Sequence, residues 1–102
     1  MIIYNVTVSV EESVQNEWLD WMKIEHIPEV MACGIFTKAQ INRVIVQTDS
    51  DNTFAIAYTC PSMKELHQYQ IKFAPELQKK HNEKFKEKTI AFRTLMEVIE
   101  EF

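Results

Sequence analysis

The residues best suited to chemistry lie in one stretch, residues 17–34, which holds both tryptophans and the only glycine of the chain. At about 100° per residue, Trp18 and Trp21 share one helical face, Glu25 falls at its centre and His26 lies on its flank. A carboxylate and an imidazole at the end of an aromatic stripe could form a ligand-binding site. His26 could act as a general acid or base, because its unperturbed pKa is near neutrality. The alternative, which is the commoner role of such a residue, is that it caps carbonyl groups at a helix end.

Glu25 and Arg93 are the other ionisable candidates for this site. A carboxylate inside an apolar stripe costs free energy unless it is paired or reaches water. Arg93 could be its partner or the anchor of an anionic ligand, and a structural ion pair is the alternative. Trp18 and Trp21 could be flat walls for an aromatic ligand, although tryptophans at helical spacing more often belong to a core. Glu25, His26, Arg93, Trp18 and Trp21 are therefore the predicted ligand-binding residues, with His26 as the catalytic candidate.

No metal site or cofactor is predicted. His67 and His81 are fourteen residues apart on a helix interrupted by Pro75, and neither they nor His26, Cys33 and Cys60 match a metal-ligand spacing. A single glycine excludes a glycine-rich phosphate loop, and no serine has the context of a nucleophile elbow. The sequence thus leaves enzymatic activity open and favours its absence.

Composition indicates a small globular chain. It has 102 residues, 46% hydrophobic and 25% charged, with a formal net charge of −4. One domain over residues 1–102 is expected. The negative charge gives no case for binding nucleic acid or an anionic membrane. Two isolated cysteines, the lack of a signal peptide and the lack of a long apolar run predict free thiols and a cytoplasmic location.

Periodicity predicts six elements in the order β, α, β, β, α, β. Strands are expected over residues 2–10, 35–48, 53–60 and 88–99, the second at an edge and bent or bulged near Asn42. The first regular helix should end near Glu25, because Pro28 disfavours helical geometry at the residue before it, and a short irregular or helical turn should follow through Pro28 to Ala32. Gly34 suits a left-handed cap, and residues 49–52 suit a turn. Pro75 should kink or restart the second helix.

This order is that of the ferredoxin-like fold: an α+β domain, βαββαβ, with a four-stranded antiparallel sheet and two helices on one face. The predicted strand order is fourth, first, third, second. The apolar sides of the strands, including Ile90, Phe92 and Met96, are expected under the helices. The open face is expected to carry small or polar residues: Asn5, Thr7, Ser9, Ala55, Ala57, Thr59, Ala91, Arg93 and Leu95. So few charges on an open face favour a homodimer formed through it, although a solvent-facing sheet is the alternative.

Three segments carry a resemblance. Tyr4, Val6 and Val8 in the first strand, the stretch from Trp18 through Glu25 and His26 to Phe36, and Ala91 to Leu95 together resemble an uncharacterised bacterial family known only as a domain of unknown function. More loosely, the chain is similar to the dimeric α+β barrel proteins, which include cofactor-free monooxygenases of antibiotic biosynthesis. The resemblance implies a ferredoxin-like homodimer with a cavity between sheet and helices or between sheets.

Two functions follow as hypotheses. The first is a homodimeric module that binds a small organic molecule or a protein partner without chemistry. The second is a cofactor-free monooxygenase or isomerase acting on a small planar substrate, in which His26 would move a proton and Arg93 would stabilise an oxyanion. Geometry discriminates between them, because the enzyme requires His26 and Arg93 to open into one enclosed cavity.

Overall fold

The strands form a single antiparallel sheet in the order β2-β3-β1-β4. The structure is a computed structural model that describes residues 1–45 and 52–102. Its strands are β1 (Ile2–Val10), β2 (Lys38–Arg43), β3 (Thr53–Cys60) and β4 (Thr89–Glu97). The ferredoxin-like α+β fold and the predicted strand order are confirmed, with β1 and β3 in the middle of the sheet.

The first helical region loses its regular α-helical geometry before Glu25 and continues to Ala32, close to the prediction. A 3₁₀ turn (Glu12–Val14) leads into α1 (Gln15–Trp21), a π-helical turn (Met22–His26) and α2 (Ile27–Ala32). Across the π-helical turn, the Ile27 N–H donates to the carbonyl of Met22, five residues earlier. Pro28 lies in the first turn of α2, where a missing N–H costs little. The chain therefore accommodates the proline by widening one turn instead of ending the helix.

The second helical region is divided as predicted. α3 (Met63–Lys72) ends one residue before α4 (Ala74–Phe85), and Pro75 occupies the first turn of α4. Gly34 has a φ of 78°, which confirms a left-handed residue after α2. Two ion pairs join α4 to the first helical region: Lys80 to Glu29 at 2.8 Å and Lys84 to Glu17 at 4.0 Å.

The hydrophobic core lies between the sheet and the helices. Tyr4 and Val8 of β1, Phe54 and Ile56 of β3, and Trp18 of α1 are buried in it. Trp18 is fully buried and packs on Phe54, with the ring centroids 5.2 Å apart. This arrangement agrees with the predicted inward faces of β1 and β3 and with a structural role for Trp18.

The predicted faces of β4 are wrong. In the antiparallel pairing of β1 with β4, Val6 lies opposite Arg93, and Thr7 lies opposite Phe92. Because directly opposite residues share a face, Arg93 points to the helix side and Phe92 to the open side. By the same register, Ala91 and Leu95 lie on the helix side with Arg93, and Ile90 and Met96 lie on the open side with Phe92. The open face of the sheet is consequently more apolar than predicted: Ile90 is 77% exposed and Phe92 is 61% exposed.

The predicted second strand is also corrected. β2 covers residues 38–43, is an edge strand as expected, and pairs regularly with β3 from Lys38 to Arg43 with no bulge at Asn42. The far end of the predicted strand and most of the turn predicted over residues 49–52 lie outside the described residues. Cys33 and Cys60 are free thiols. In the described part of the chain, no helix is long and apolar enough to cross a membrane.

Candidate functional site

A cavity of about 240 Å³ lies between the helix-facing side of the sheet and the helices. Its floor comes from the three strands β1, β3 and β4, and its roof comes from the π-helical turn, α3 and α4. The floor residues are Tyr4, Val6, Val8, Ile56, Tyr58, Thr89, Ala91 and Arg93. The roof residues are Met22, His26, Tyr69, Gln78, His81 and Asn82. Apolar side chains and converging polar groups thus line the cavity together, a combination that small-molecule sites share.

Arg93 reaches the cavity from the edge strand β4. Its Nε donates a hydrogen bond of 2.9 Å to the hydroxyl of Tyr4. The Tyr4 ring is buried within an aromatic cluster, with ring centroids 6.1 Å from Phe36, 6.0 Å from Tyr58 and 5.8 Å from Tyr69. A side chain packed on three sides holds its hydroxyl in place, so the hydrogen bond also fixes the guanidinium.

His26 enters the cavity from the π-helical turn and stacks on Trp21, with ring centroids 4.9 Å apart and planes 25° apart. Burial, and to a smaller extent the nearby His81, lower the pKa of His26 to about 4. The charge of Glu29 raises the pKa of His26 and the charge of Lys80 lowers it, but these two residues are paired with each other. The imidazole is therefore neutral at pH 7 and can accept a proton, although with weak basicity.

His81 faces His26 from α4, with the two ring centroids 5.9 Å apart. The indole Nε1 of Trp18 donates a hydrogen bond of 2.9 Å to Nε2 of His81. An accepting Nε2 carries no proton, so the neutral ring bears its hydrogen on Nδ1. Burial lowers the pKa of His81, and the positive charge of Arg93 also lowers it. A hydrogen bond with the side chain of Asn82 raises this pKa and offsets part of the change.

The structure brings together two of the five predicted site residues. His26 and Arg93 both line the cavity, as the enzyme hypothesis demands, whereas Glu25 is exposed and lies outside the lining. Its charge acts instead on Lys80 of α4, whose pKa it helps to raise. Trp18 hydrogen-bonds to His81 and Trp21 stacks on His26, but neither tryptophan lines the cavity. Ligand binding by these residues stays a prediction.

His81, Tyr4, Gln78 and Asn82 are site residues that sequence reasoning missed. A signal for His81 was present: Leu77, His81 and Phe85 are spaced by four residues and so share one face of α4, on which Leu77 and Phe85 are buried. The many lysines and glutamates around His81 concealed that stripe. Tyr4 carried no comparable signal, because its partner Arg93 is 89 residues away.

Three lining residues separate the cavity from the outside. Gln78, Asn82 and Thr89 line both the cavity and a shallow surface groove that runs over the end of α4. Asn82 is exposed, as are Ala91 and Arg93 on β4. The cavity thus opens to solvent between α4 and β4, which gives a small molecule a path of entry. Within the described residues, no group of three or more histidine, cysteine or acidic side chains is placed to hold a metal ion.

The family model for a domain of unknown function, DUF4286, matches residues 1–99. The chain belongs to this family. Its membership confirms the resemblance noted in the sequence, and the DUF4286 chain has the length and fold of several solved structures. No curated protein shows significant sequence similarity to it.

Three solved structures resemble the DUF4286 chain over nearly its whole length. A dimeric ferredoxin-like protein from an uncultured marine organism has 13% identity and a TM-score of 0.73, with 100% of this chain and 98% of that chain covered. A protein from Deinococcus radiodurans, provisionally assigned as an antibiotic biosynthesis monooxygenase, has 12% identity and a TM-score of 0.72, covering 100% and 96%. SnoaB, a cofactor-independent oxygenase from Streptomyces nogalater, has 9% identity and a TM-score of 0.71, covering 98% and 95%. Identities this low show a shared fold and leave the activity open.

Proposed function

We propose that the protein is a homodimeric α+β barrel that binds a small organic molecule in the cavity between its sheet and helices. The observation that carries this proposal is the convergence of Arg93, His26 and His81 on one partly enclosed space whose floor is partly apolar. A cavity that served only as a packing defect would be lined by apolar side chains, since polar groups are costly to bury without a partner.

The homodimer is supported by the open face of the sheet. No helix in the described part of the chain covers this face, and it carries Ile90 and Phe92 at high exposure beside Thr7 and Ser9. Large exposed apolar patches on a small protein mark interaction surfaces. One of the similar solved structures is described as a dimeric ferredoxin-like protein, which agrees with pairing through this surface.

Native mass spectrometry of the protein, freshly purified from its host, tests the proposal. We expect a dimer mass and a bound small molecule. Ala91→Trp places a large side chain into the cavity and should abolish the bound mass, whereas Ala32→Trp, at the exposed end of α2, should keep it. A wild-type protein without any bound mass, or a bound mass that persists in Ala91→Trp, would contradict the proposal.

A second candidate is a cofactor-free monooxygenase or isomerase. It is favoured by the placement of His26 and Arg93 in one cavity, where a neutral imidazole could take a proton and a guanidinium could stabilise the resulting oxyanion. The low pKa of His26 counts against it, because a base of pKa about 4 removes protons poorly at neutral pH. Incubating the retained ligand with the protein in air distinguishes the two. A gain of oxygen mass, or a changed NMR spectrum of the ligand at constant mass, that His26→Gln prevents would show an oxygenase or an isomerase, respectively.

A further inference from the structure

We infer that the ligand of this cavity is a small organic anion, with Arg93 as its counterion and Tyr4 as the residue that positions the guanidinium. The inference deepens the proposed function and rests on it, because it gives a chemical class to the molecule that the cavity would hold.

The charge of the cavity is positive although the protein is acidic. The lining includes one permanently charged side chain, Arg93, and no aspartate or glutamate. Among the described residues, no carboxylate forms an ion pair with Arg93. The chain as a whole has a formal net charge of −4, so carboxylates are plentiful elsewhere. An arginine left without a carboxylate in such a protein has its charge available for a ligand.

The hydrogen bond of Arg93 to Tyr4 leaves the two terminal nitrogens of the guanidinium available as donors. Only Nε is used, in the hydrogen bond to Tyr4, and the two terminal nitrogens make no hydrogen bond to any described side chain. Those two nitrogens form the fork that binds both oxygens of a carboxylate or a similar oxyanion. Because the hydroxyl of Tyr4 fixes the guanidinium, less conformational entropy is lost when an anion binds.

The other polar groups are compatible with an anion. His26 and His81 are uncharged and add no positive charge of their own, and burial raises the pKa of the phenols of Tyr58 and Tyr69, which keeps them protonated. Gln78 and Asn82 supply amide groups, which can donate as well as accept hydrogen bonds. No group in the lining would repel a negative charge.

The apolar floor and the size of the cavity define the rest of the ligand. Val6, Val8 and Ile56 cover the floor, and Met22 faces them from the roof. These side chains cannot donate a hydrogen bond to an inorganic anion, but they would pack against a carbon skeleton. A volume of about 240 Å³ is below the ~300–1,000 Å³ of pockets that hold drug-sized molecules. The ligand should therefore be a single ring or a short chain that carries one oxyanion.

Benzoate and benzamide provide matched probes, since they share a ring and nearly the same shape and differ in charge. We would titrate each into the ¹⁵N-labelled protein and follow the amide resonances of β1, β4 and α4 by NMR. We expect benzoate to bind at millimolar concentration or tighter and benzamide to bind about tenfold or more weakly, as is typical when a charge-assisted hydrogen bond is lost. Inorganic phosphate should not displace benzoate.

Two substitutions test the assigned residues. Arg93→Met keeps a long side chain without the charge and should weaken benzoate binding about tenfold or more while leaving benzamide binding unchanged. Arg43→Met is the matched control, because Arg43 lies on β2 against Phe54 and does not line the cavity. Tyr4→Phe keeps the buried ring and removes the hydroxyl, so it should lower the preference for benzoate over benzamide by a few fold. The NMR spectrum of each variant also reports whether it is folded.

Each remaining outcome would overturn the inference. Equal affinity for benzoate and benzamide, an unchanged preference in Arg93→Met, or displacement by inorganic phosphate would show that the site does not select an organic anion. The proposed function would survive any of these results if native mass spectrometry showed a neutral molecule bound. Failure of both probes to bind the wild-type protein would reject the anion site, and an empty protein from the host would reject the proposed function as well.

Discussion

The hydrogen bond between Trp18 and His81 ties a core residue to the cavity. It gives Trp18 two tasks, since the ring fills the core against Phe54 and the indole N–H selects the tautomer of His81. Trp21 supports the other histidine by stacking, and also packs on Phe85, but it is only half-buried. The two tryptophans thus hold His81 and His26 in place, which explains why the apolar stripe of the first helical region ends at His26.

Replacing each tryptophan by alanine should separate these contributions. Trp18→Ala should lower the free energy of unfolding by about 3–5 kcal/mol, because a fully buried ring is lost and His81 loses its partner. Trp21→Ala should cost less, about 1–2 kcal/mol, since its ring is only partly buried. Urea denaturation followed by circular dichroism measures both values. Equal losses would argue against the difference in burial described here.

Acid should destabilise the protein through the two histidines. Both have a pKa in the folded state below the unfolded value of 6.5, and that of His26 is about 4. The unfolded state therefore binds protons first, so this contribution is fully present above pH 6.5 and is lost as the pH falls toward 4. For His26 this loss in the free energy of unfolding amounts to at most about 3 kcal/mol, and screening by solvent makes it smaller.

Urea denaturation at a series of pH values tests this dependence. His26→Gln should flatten the decline of stability between pH 6.5 and 4, whereas His67→Gln, which removes an exposed imidazole from α3, should leave it as in the wild type. A decline that is equally steep in His26→Gln and the wild-type protein would be inconsistent with a buried neutral His26.

At the scale of the elements, the sequence predicted the order, topology and inner faces of the fold but not the orientation of β4. β1 and β3 are central strands covered by helices, so their alternation reports burial directly. β4 is an edge strand that the helices cover poorly, and residues of both its faces, such as Phe92 and Arg93, are exposed. When both faces of a strand have apolar residues and neither is buried within one chain, alternation does not reveal which face is inside. The error in β4 hid the contact of Arg93 with Tyr4.

The turn from α4 to β4 carries a residue in an unfavourable conformation. Glu87 has a φ of 65°, the left-handed region that glycine adopts far more easily than glutamate. We expect Glu87→Gly to raise the free energy of unfolding by about 0.5–1 kcal/mol, after the larger entropy of glycine in the unfolded state is counted.

Lys86→Gly is the matched control for this turn. Lys86 has a φ of −51°, which any residue adopts, so glycine there should lower stability by a similar amount. Thermal unfolding of the two variants beside the wild-type protein measures both effects. Destabilisation by Glu87→Gly would mean that the glutamate side chain contributes more than its backbone conformation costs.

At the scale of the whole molecule, the open face of the sheet is an apolar surface that no helix of the described residues covers. Its apolar side chains come from the two neighbouring strands β1 and β4: Ile90, Phe92 and Met96 are exposed, and Ile3 is partly buried. A second copy of the chain could cover this surface with the same surface, as happens in two-fold symmetric dimers. The misassigned residues of β4 thereby strengthen the proposed dimer, since Phe92 is a better contact than the polar face originally expected there.

A charge placed on this surface should prevent dimer formation. Phe92→Glu would bury two carboxylates near the two-fold axis without partners, which costs several kcal/mol, and Ala57→Glu on β3 should act in the same way. The subunit itself should stay folded, because Phe92 is 61% exposed within one chain. Ile71→Glu is the matched control: Ile71 is 77% exposed on α3, on the opposite side of the molecule, and its replacement should leave the dimer intact. Sedimentation equilibrium at micromolar concentration measures the mass of each protein. A monomeric wild-type protein, or a dimer that tolerates Phe92→Glu and Ala57→Glu, would exclude pairing through the sheet.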